Sequence, residues 1–358
     1  MAYKIDNLRR ICLLFAACLL SNGLNAQSVD SLVLKFTDDD GIVNTDSMFA
    51  AGKKNLYTDP DRAFELARRL VGITEKQKDR LARANSYRYL GACFVDYDQN
   101  FDSANHYYRL AEKLYRSIDA PEGTHGLGAT LHNYGVINHY QGDYLKAIEN
   151  YTEALRIFNP MGDFQVRPMT LNNLSSVYAF LKDYPKSEQY ARRCVALARE
   201  KENTFMEANG LMGLADALLS QKKFAEALPT IEAAMKIGTE NDYLSIVRVS
   251  YLNLGNYYYA QKDYPRATQA IKKSLELAVR HEHEWDVMRN KISLADLYII
   301  DNRHIEAYAM ADQGLAIARN MGAKDMQERA LLFRAKATAL ERNFEVAYHD
   351  LIAAYTLR

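Results

Sequence analysis

NYGVINHYQGDYLKAIENYTEALRIF (residues 133–158) and NLGNYYYAQKDYPRATQAIKKSLELA (residues 253–278) make the same demands at two distant places in the chain. Each sets a glycine, Gly135 or Gly255, inside a helical pattern, then a polar turn, an aromatic at Tyr144 or Tyr264, and a small residue at Ala147 or Ala267. Glycine inside a helix costs about 0.5–1 kcal/mol against alanine, so close packing has to offset it. The small slot recurs at Ala51, Gly91, Gly135, Ser175, Ala215, Gly255, Ala295 and Ala335, evenly spaced except for one longer interval between Gly91 and Gly135. A second comb keeps step behind the first, at Ala63, Ala104, Ala147, Ser187, Ala227, Ala267, Ala307 and Ala347. Self-similarity at a period of about 40 residues is the mark of stacked helix pairs. Helices that cross at the short end of the usual range, roughly 8–10 Å, need small residues at the crossing.

Between the combs a turn recurs as DQNF, QGDY, LKDY, QKKF, QKDY and ERNF, each ending in the aromatic Phe101, Tyr144, Tyr184, Phe224, Tyr264 or Phe344. Polar clusters of this kind stop one helix and start the next. Pro185 and Pro265 directly follow the aromatic, where a first helical turn tolerates the missing N–H. His304 and Pro60 take the aromatic's place in two repeats.

The run LGACF, YGVIN, LSSVY, LADAL, LGNYY, LADLY, each followed by such a turn and a closing small residue, resembles the tetratricopeptide repeat over about residues 45–358. The resemblance implies an all-α, right-handed solenoid of about eight helix pairs. The pairs are expected near 45–80, 85–118, 129–160, 169–202, 209–240, 249–282, 289–322 and 329–358. The family's usual period of about 34 residues is lengthened here to about 40 residues, which predicts longer helices. Repeats of this longer kind resemble those of kinesin light chains, of bacterial peptide-sensing regulators, and of the exported sensing ectodomains of bacterial membrane regulators.

The first 26 residues read differently. Lys4, Arg9 and Arg10 precede an apolar run, Ile11 to Leu20, and a polar exit from Ser21 to Ala26. That is the pattern of a cleaved secretory signal peptide, with residues 27–44 as a leading segment. A run of ten is too short for a membrane span of about 20 residues. Cys18, in FAAC, offers a competing lipoprotein site, but Leu19 and Leu20 continue the apolar run beyond it. Removal of the leader takes Cys12 and Cys18 with it and leaves Cys93 and Cys194, two repeats apart, as buried thiols. It also leaves 45 − 3 = 42 basic and 45 − 1 = 44 acidic residues, a net charge of −2. A chain of that balance has no basic stripe for nucleic acid and no polybasic membrane patch.

No sequence motif of catalysis appears: there is no GxSxG elbow, no phosphate loop and no GxGxxG. No cofactor is expected. HEHEW at 281–285 begins like a zinc-protease helix, but Trp285 stands where the second histidine belongs. His281 and His283 are read as parts of a solvated turn beside Glu282 and Glu284 rather than as metal ligands. Asp38, Asp39, Asp40 and Gly41 resemble part of a calcium loop, yet Phe36 and Ser47 hold the end positions that need carboxylates. A turn after a short helix over 29–36 is the better reading.

Function must then lie on a surface. In stacked pairs the first helices line the concave side, the usual binding face. Asn133, Asn173 and Asn253 each stand two residues before a small slot, and an amide that both donates and accepts suits the backbone of an extended peptide. The resemblance implies the same, since asparagines in this part of the first helix contact peptide backbone in the related arrays; bonding to a neighbouring helix is the structural alternative. The register adds Arg88 and Asp96, His132 and His139, Asn172 and Ser176, Asn209 and Asp216, Asn256 and Tyr259, and Arg289 and Asp296.

Two irregularities complete the expectation. The one longer interval divides into one extra residue in the turn YDQNF and three in the connection SIDAPEGTHGLG (117–128), a candidate flexible connector. The final helix, 344–358, carries Phe344, Tyr348, Leu351 and Tyr355 on one face and is a candidate contact for a partner or a second copy, or for a following membrane or signalling segment. The sequence reads as an exported, non-catalytic repeat protein that holds a peptide or protein segment in a groove, with a sensory or scaffolding role. The alternative is an accessory subunit of an envelope enzyme or transport complex, or the ectodomain of a membrane-bound kinase or transcription regulator.

Overall fold

A computed structural model describes residues 29–37, 43–45, 47–49, 59–96, 98 and 100–357. The leader with Cys12 and Cys18, the acidic stretch 38–41, Ala51 and Arg358 lie outside the described residues. These form sixteen α-helices and a single isolated bridge, Thr37 to Val43. The chain divides into two compact units between Met161 and Gly162.

The first unit holds α1 (Val29–Lys35), α2 (Pro60–Thr74), α3 (Arg80–Asp96), α4 (Phe101–Tyr115), α5 (Pro121–Tyr140) and α6 (Tyr144–Met161). The short leading helix is therefore present. The core of this unit is aromatic: Tyr108, Tyr115, Tyr151 and Phe158 are fully buried. The first comb explains how they fit. A Cβ built on Gly91 would fall 2.5 Å from Tyr108, and one on Gly135 would fall 2.5 Å from Tyr151, so each tyrosine occupies the space that glycine leaves open.

The connector at 117–128 is a correction. Only residues 116–120 link α4 to α5, and Pro121, Gly123, Gly126 and Gly128 all lie within the helix, the three glycines buried. Gly126 is there because the Tyr115 ring presses on its Cα, and Gly128 because Phe158 does the same. Composition mimicked a loop where close packing was the reason for glycine. Extra length is taken up in α5 itself, which has 20 residues.

The second unit holds α7 (Val166–Phe180), α8 (Tyr184–Glu200), α9 (Thr204–Ser220), α10 (Phe224–Glu240), α11 (Leu244–Ala260), α12 (Tyr264–Arg280), α13 (Glu284–Ile300), α14 (His304–Asn320), α15 (Lys324–Leu340) and α16 (Phe344–Thr356). From α8 to α15 every helix has 17 residues and every turn three. Two such helices and two such turns make up the period read from the small slots. First helices α9, α11, α13 and α15 start five residues ahead of the 209, 249, 289 and 329 read from sequence. Only Asn203 announces such a start with a standard capping side chain; Tyr243, His283 and Ala323 hold the other three cap positions.

The turns share one conformation. The middle residue is left-handed at Gly142, Lys182, Glu202, Lys222, Asp242, Lys262, Glu282, Asn302, Gly322 and Arg342; in the four-residue link 162–165 the first residue, Gly162, is left-handed instead. The N–H of the following residue then returns to a carbonyl five positions back, as from Asp183 to Tyr178 at 2.9 Å and from Asp263 to Tyr258 at 2.9 Å. This closes the helix C-terminus in the Schellman manner. Asp183 and Asp263 next cap the following helix by accepting from the N–H groups of Lys186 and Arg266.

Packing separates the two helices of a pair. Second helices bury one stripe, as α12 does with Ala267, Ala270, Ile271, Ser274, Leu277 and Ala278. First helices are covered on more sides: α9 buries Met206, Ala208, Gly210, Leu211, Leu214, Ala215, Ala217 and Leu218. What α9 leaves open is a narrow polar strip. Cys93 and Cys194 are free and buried, and burial pushes both thiols up to about 12.

Candidate ligand-binding face

In the second unit the open strip of the first helices carries Asn209 and Asp216 on α9, Asn256 and Tyr259 on α11, and Arg289 and Asp296 on α13. Residues seven apart, such as 209 and 216 or 289 and 296, stand two helical turns apart on one side of a helix. Tyr259 donates from its hydroxyl to Asp296 Oδ2 at 2.6 Å, joining α11 to α13. Burial and this carboxylate raise the phenol's pKa.

Asp216 defines the character of the face. Its side chain is open to solvent, yet burial raises its pKa, against the opposing influence of Arg289 and the Asn253 amide. Asn253 itself is 1% exposed. Its side chain acts on Asp216, and its Oδ1 is buried without a partner among the described residues. Asn209 bonds back to the Phe205 carbonyl at 2.8 Å, and Asn172 and Asn173 are half-buried, with the Asn172 side chain beside Gly213.

One residue of this strip escaped the sequence reading. Arg329 occupies on α15 the slot that Arg289 occupies on α13, one repeat earlier. It is solvent-exposed, and burial together with the Arg289 charge lowers its pKa, while Asp325, Asp296 and Tyr259 oppose that shift. A step of one period on from Arg289 would have found it.

The first unit treats its candidates differently. His132 is 4% exposed and packs on the Tyr151 ring at 5.5 Å, so it belongs to the core and presents little surface to a ligand. Arg88 points at the Tyr115 hydroxyl, 3.4 Å away, and that hydroxyl donates to Asn85 at 2.6 Å. Asn133 is half-buried with its Nδ2 unpartnered among the described residues. His139 lies among Tyr140 and Tyr144, and burial lowers its pKa. Asp96 is exposed at the end of α3, and the protein packed around it pushes its carboxyl up to about 6.

Away from this face, His283 caps α13 and lies 3.2 Å from Asp286. Among the described residues no helix is long and apolar enough to cross a membrane. On α16, Phe344, Tyr348, Leu351 and Tyr355 are exposed.

Helix pairs with these turns, small slots and open first-helix faces are those of a repeat solenoid. They are tetratricopeptide repeats: two models of that repeat match residues 129–159, 166–240 and 206–278. The chain is similar to Tetratricopeptide repeat protein 29 of Homo sapiens, 23% identical over 261 residues, which cover 69% of this chain and 54% of that protein. It is 22% identical over 152 residues to Response regulator aspartate phosphatase I of Bacillus subtilis, covering 42% of this chain and 39% of that one. The chain thus spans about half the length, or less, of these curated relatives. Among solved structures, NprR in complex with its cognate peptide NprX superposes with a TM-score of 0.58 at 15% identity, over 83% of this chain and 82% of the other. At that identity the likeness is one of fold.

Proposed function

We propose that this chain is an exported, non-catalytic repeat protein that binds an extended peptide or a protein segment along the open face of its first helices, as a sensory or assembly module. The observation that carries the reading is the polar strip of Asn209, Asp216, Asn256, Tyr259, Arg289 and Asp296 along successive first helices, bridged from Tyr259 to Asp296 at 2.6 Å. A strip of mixed donors, acceptors and one aromatic suits a peptide backbone with a few anchoring side chains. The solved relative that holds a cognate peptide supports that class of ligand.

Titration of fluorescent nonapeptide libraries against the purified protein tests the binding. Asp216→Asn and Asn209→Ala are each expected to weaken it by about 0.5–1.5 kcal/mol per hydrogen bond lost. Binding that survives every substitution on this strip would refute the reading. Export has its own test, the N-terminal sequence of the protein recovered from the envelope. A start at Gln27 fits cleavage after Ala26, a lipid-modified Cys18 marks a tethered lipoprotein, and an intact Met1 in the cytoplasm ends the proposal of export.

A further inference from the structure

Some arginines of the second unit hold a carboxylate, and others, such as Arg193 over the Tyr190 ring, do not. Arg192, Arg199, Arg266, Arg280, Arg303 and Arg334 each hold a carboxylate of this chain within 3.0 Å. Arg329 belongs to the second group: it makes no hydrogen bond or ion pair among the described residues, although Asp325 and Asp296 are near enough to act on its charge. Arg289 is scarcely better served. Its Nη1 lies 3.8 Å from Asp286 Oδ1, beyond hydrogen-bond reach, because Arg248 holds the other oxygen of that carboxylate at 2.6 Å. Asp296, seven residues on, is engaged by Tyr259.

These two guanidinium groups stand at equivalent positions on α13 and α15, neighbouring first helices that pack against each other. The charge of Arg289 disfavours that of Arg329. We propose that Arg289 and Arg329 together receive one side-chain carboxylate, from an Asp or Glu of the bound peptide; this rests on the peptide-binding reading and names what the peptide must carry. The planar guanidinium forks of arginine match a carboxylate, and two of them around a single anion relieve their mutual repulsion. A dianionic phosphate fits less well, since Asp296 and Asp216 share the same strip and repel the second charge. A side chain is preferred to a chain terminus because it fixes neither end of the peptide.

The test uses a nonapeptide library that is acetylated and amidated, so that Asp and Glu side chains supply its only carboxylates, beside the same library with free C-termini. The expected result is selection of Asp or Glu at one position of the blocked library. Arg329→Gln then lowers affinity for selected peptides roughly ten- to hundredfold, with little change for their Asn or Gln analogues and no change in the thermal unfolding midpoint. Arg329→Glu should reverse the preference toward Lys or Arg. Binding without any acidic preference overturns this proposal and leaves the peptide-binding reading intact. Selection that depends on a free C-terminus overturns it in favour of a terminal carboxylate. Absence of binding in both libraries overturns the two readings together.

Discussion

Arg248 on α11 donates from Nε to Asp286 Oδ2 on α13 at 2.6 Å, and both side chains are nearly sealed from solvent, 8% and 4% exposed. Burial alone would raise the Asp286 pKa; the His283 hydrogen bond and the charges of Arg248, His283 and Arg289 outweigh it, and the net shift is downward. This pair ties two first helices together beneath the candidate binding strip.

Removing one member leaves a buried charge alone. Arg248→Met is expected to cost about 3 kcal/mol or more, softened by His283, and to be largely recovered in Arg248→Met/Asp286→Leu. Urea unfolding of the two single variants and the double variant measures this; equal losses in all three would show that the pair contributes no specific coupling.

Gly135 and Tyr151 form a lock of complementary sizes. Gly135→Ala places a methyl 2.5 Å from the ring and should destabilise by roughly 1–3 kcal/mol. Adding Tyr151→Leu, which vacates that space, should return part of the loss. If the single variant unfolds at the wild-type midpoint, the close approach is not a constraint.

The left-handed turn residues give the opposite sign at different sites. Gly142 has a φ of +75°, and Gly142→Ala is expected to cost about 1 kcal/mol. Lys222 has a φ of +58°, and Lys222→Gly relieves that strain at the expense of chain entropy, for a net gain of at most about 1 kcal/mol. Calorimetric midpoints of the two variants should move in opposite directions.

Asp96 makes stability depend on pH. Its pKa in the folded chain is raised to about 6 from the ordinary 3.8, so the folded state holds a proton that the unfolded chain releases. Stability from this group is complete below 3.8 and is lost as pH rises through about 6. Asp96→Asn should therefore unfold like the wild type at pH 3.5 and at a higher temperature than the wild type at pH 7.5. Identical melting curves at both pH values would contradict the shift.

The fold was legible because packing periodicity is written in residue size: a small slot returning in register with every repeat needs no interpretation of surface chemistry. Exposure was harder. His132 and Asn253 share the register of open residues, but the rotation of each helix against its neighbours turns them inward, and a single sequence does not record that rotation. The glycines of 123–128 misled for a related reason, since the same residue serves loops and tight crossings. Arg329 was within reach of the repeat arithmetic, whereas its missing partner became visible only when every carboxylate nearby had been placed.

The left-handed residue that returns at each turn has a consequence for how such a chain can change length. Turns within a pair and turns between pairs are alike, so the backbone does not distinguish an inner helix from an outer one. Side-chain size alone does. Excision of one whole period, from Lys223 through Lys262 for example, would splice one turn onto its equivalent and keep each remaining helix on its own side. Excision of half a period would join turns of the same shape while presenting every later helix with its lining reversed. The unit of growth for the open polar strip is thus the pair, and it is enforced by packing against a backbone that would accept half of it.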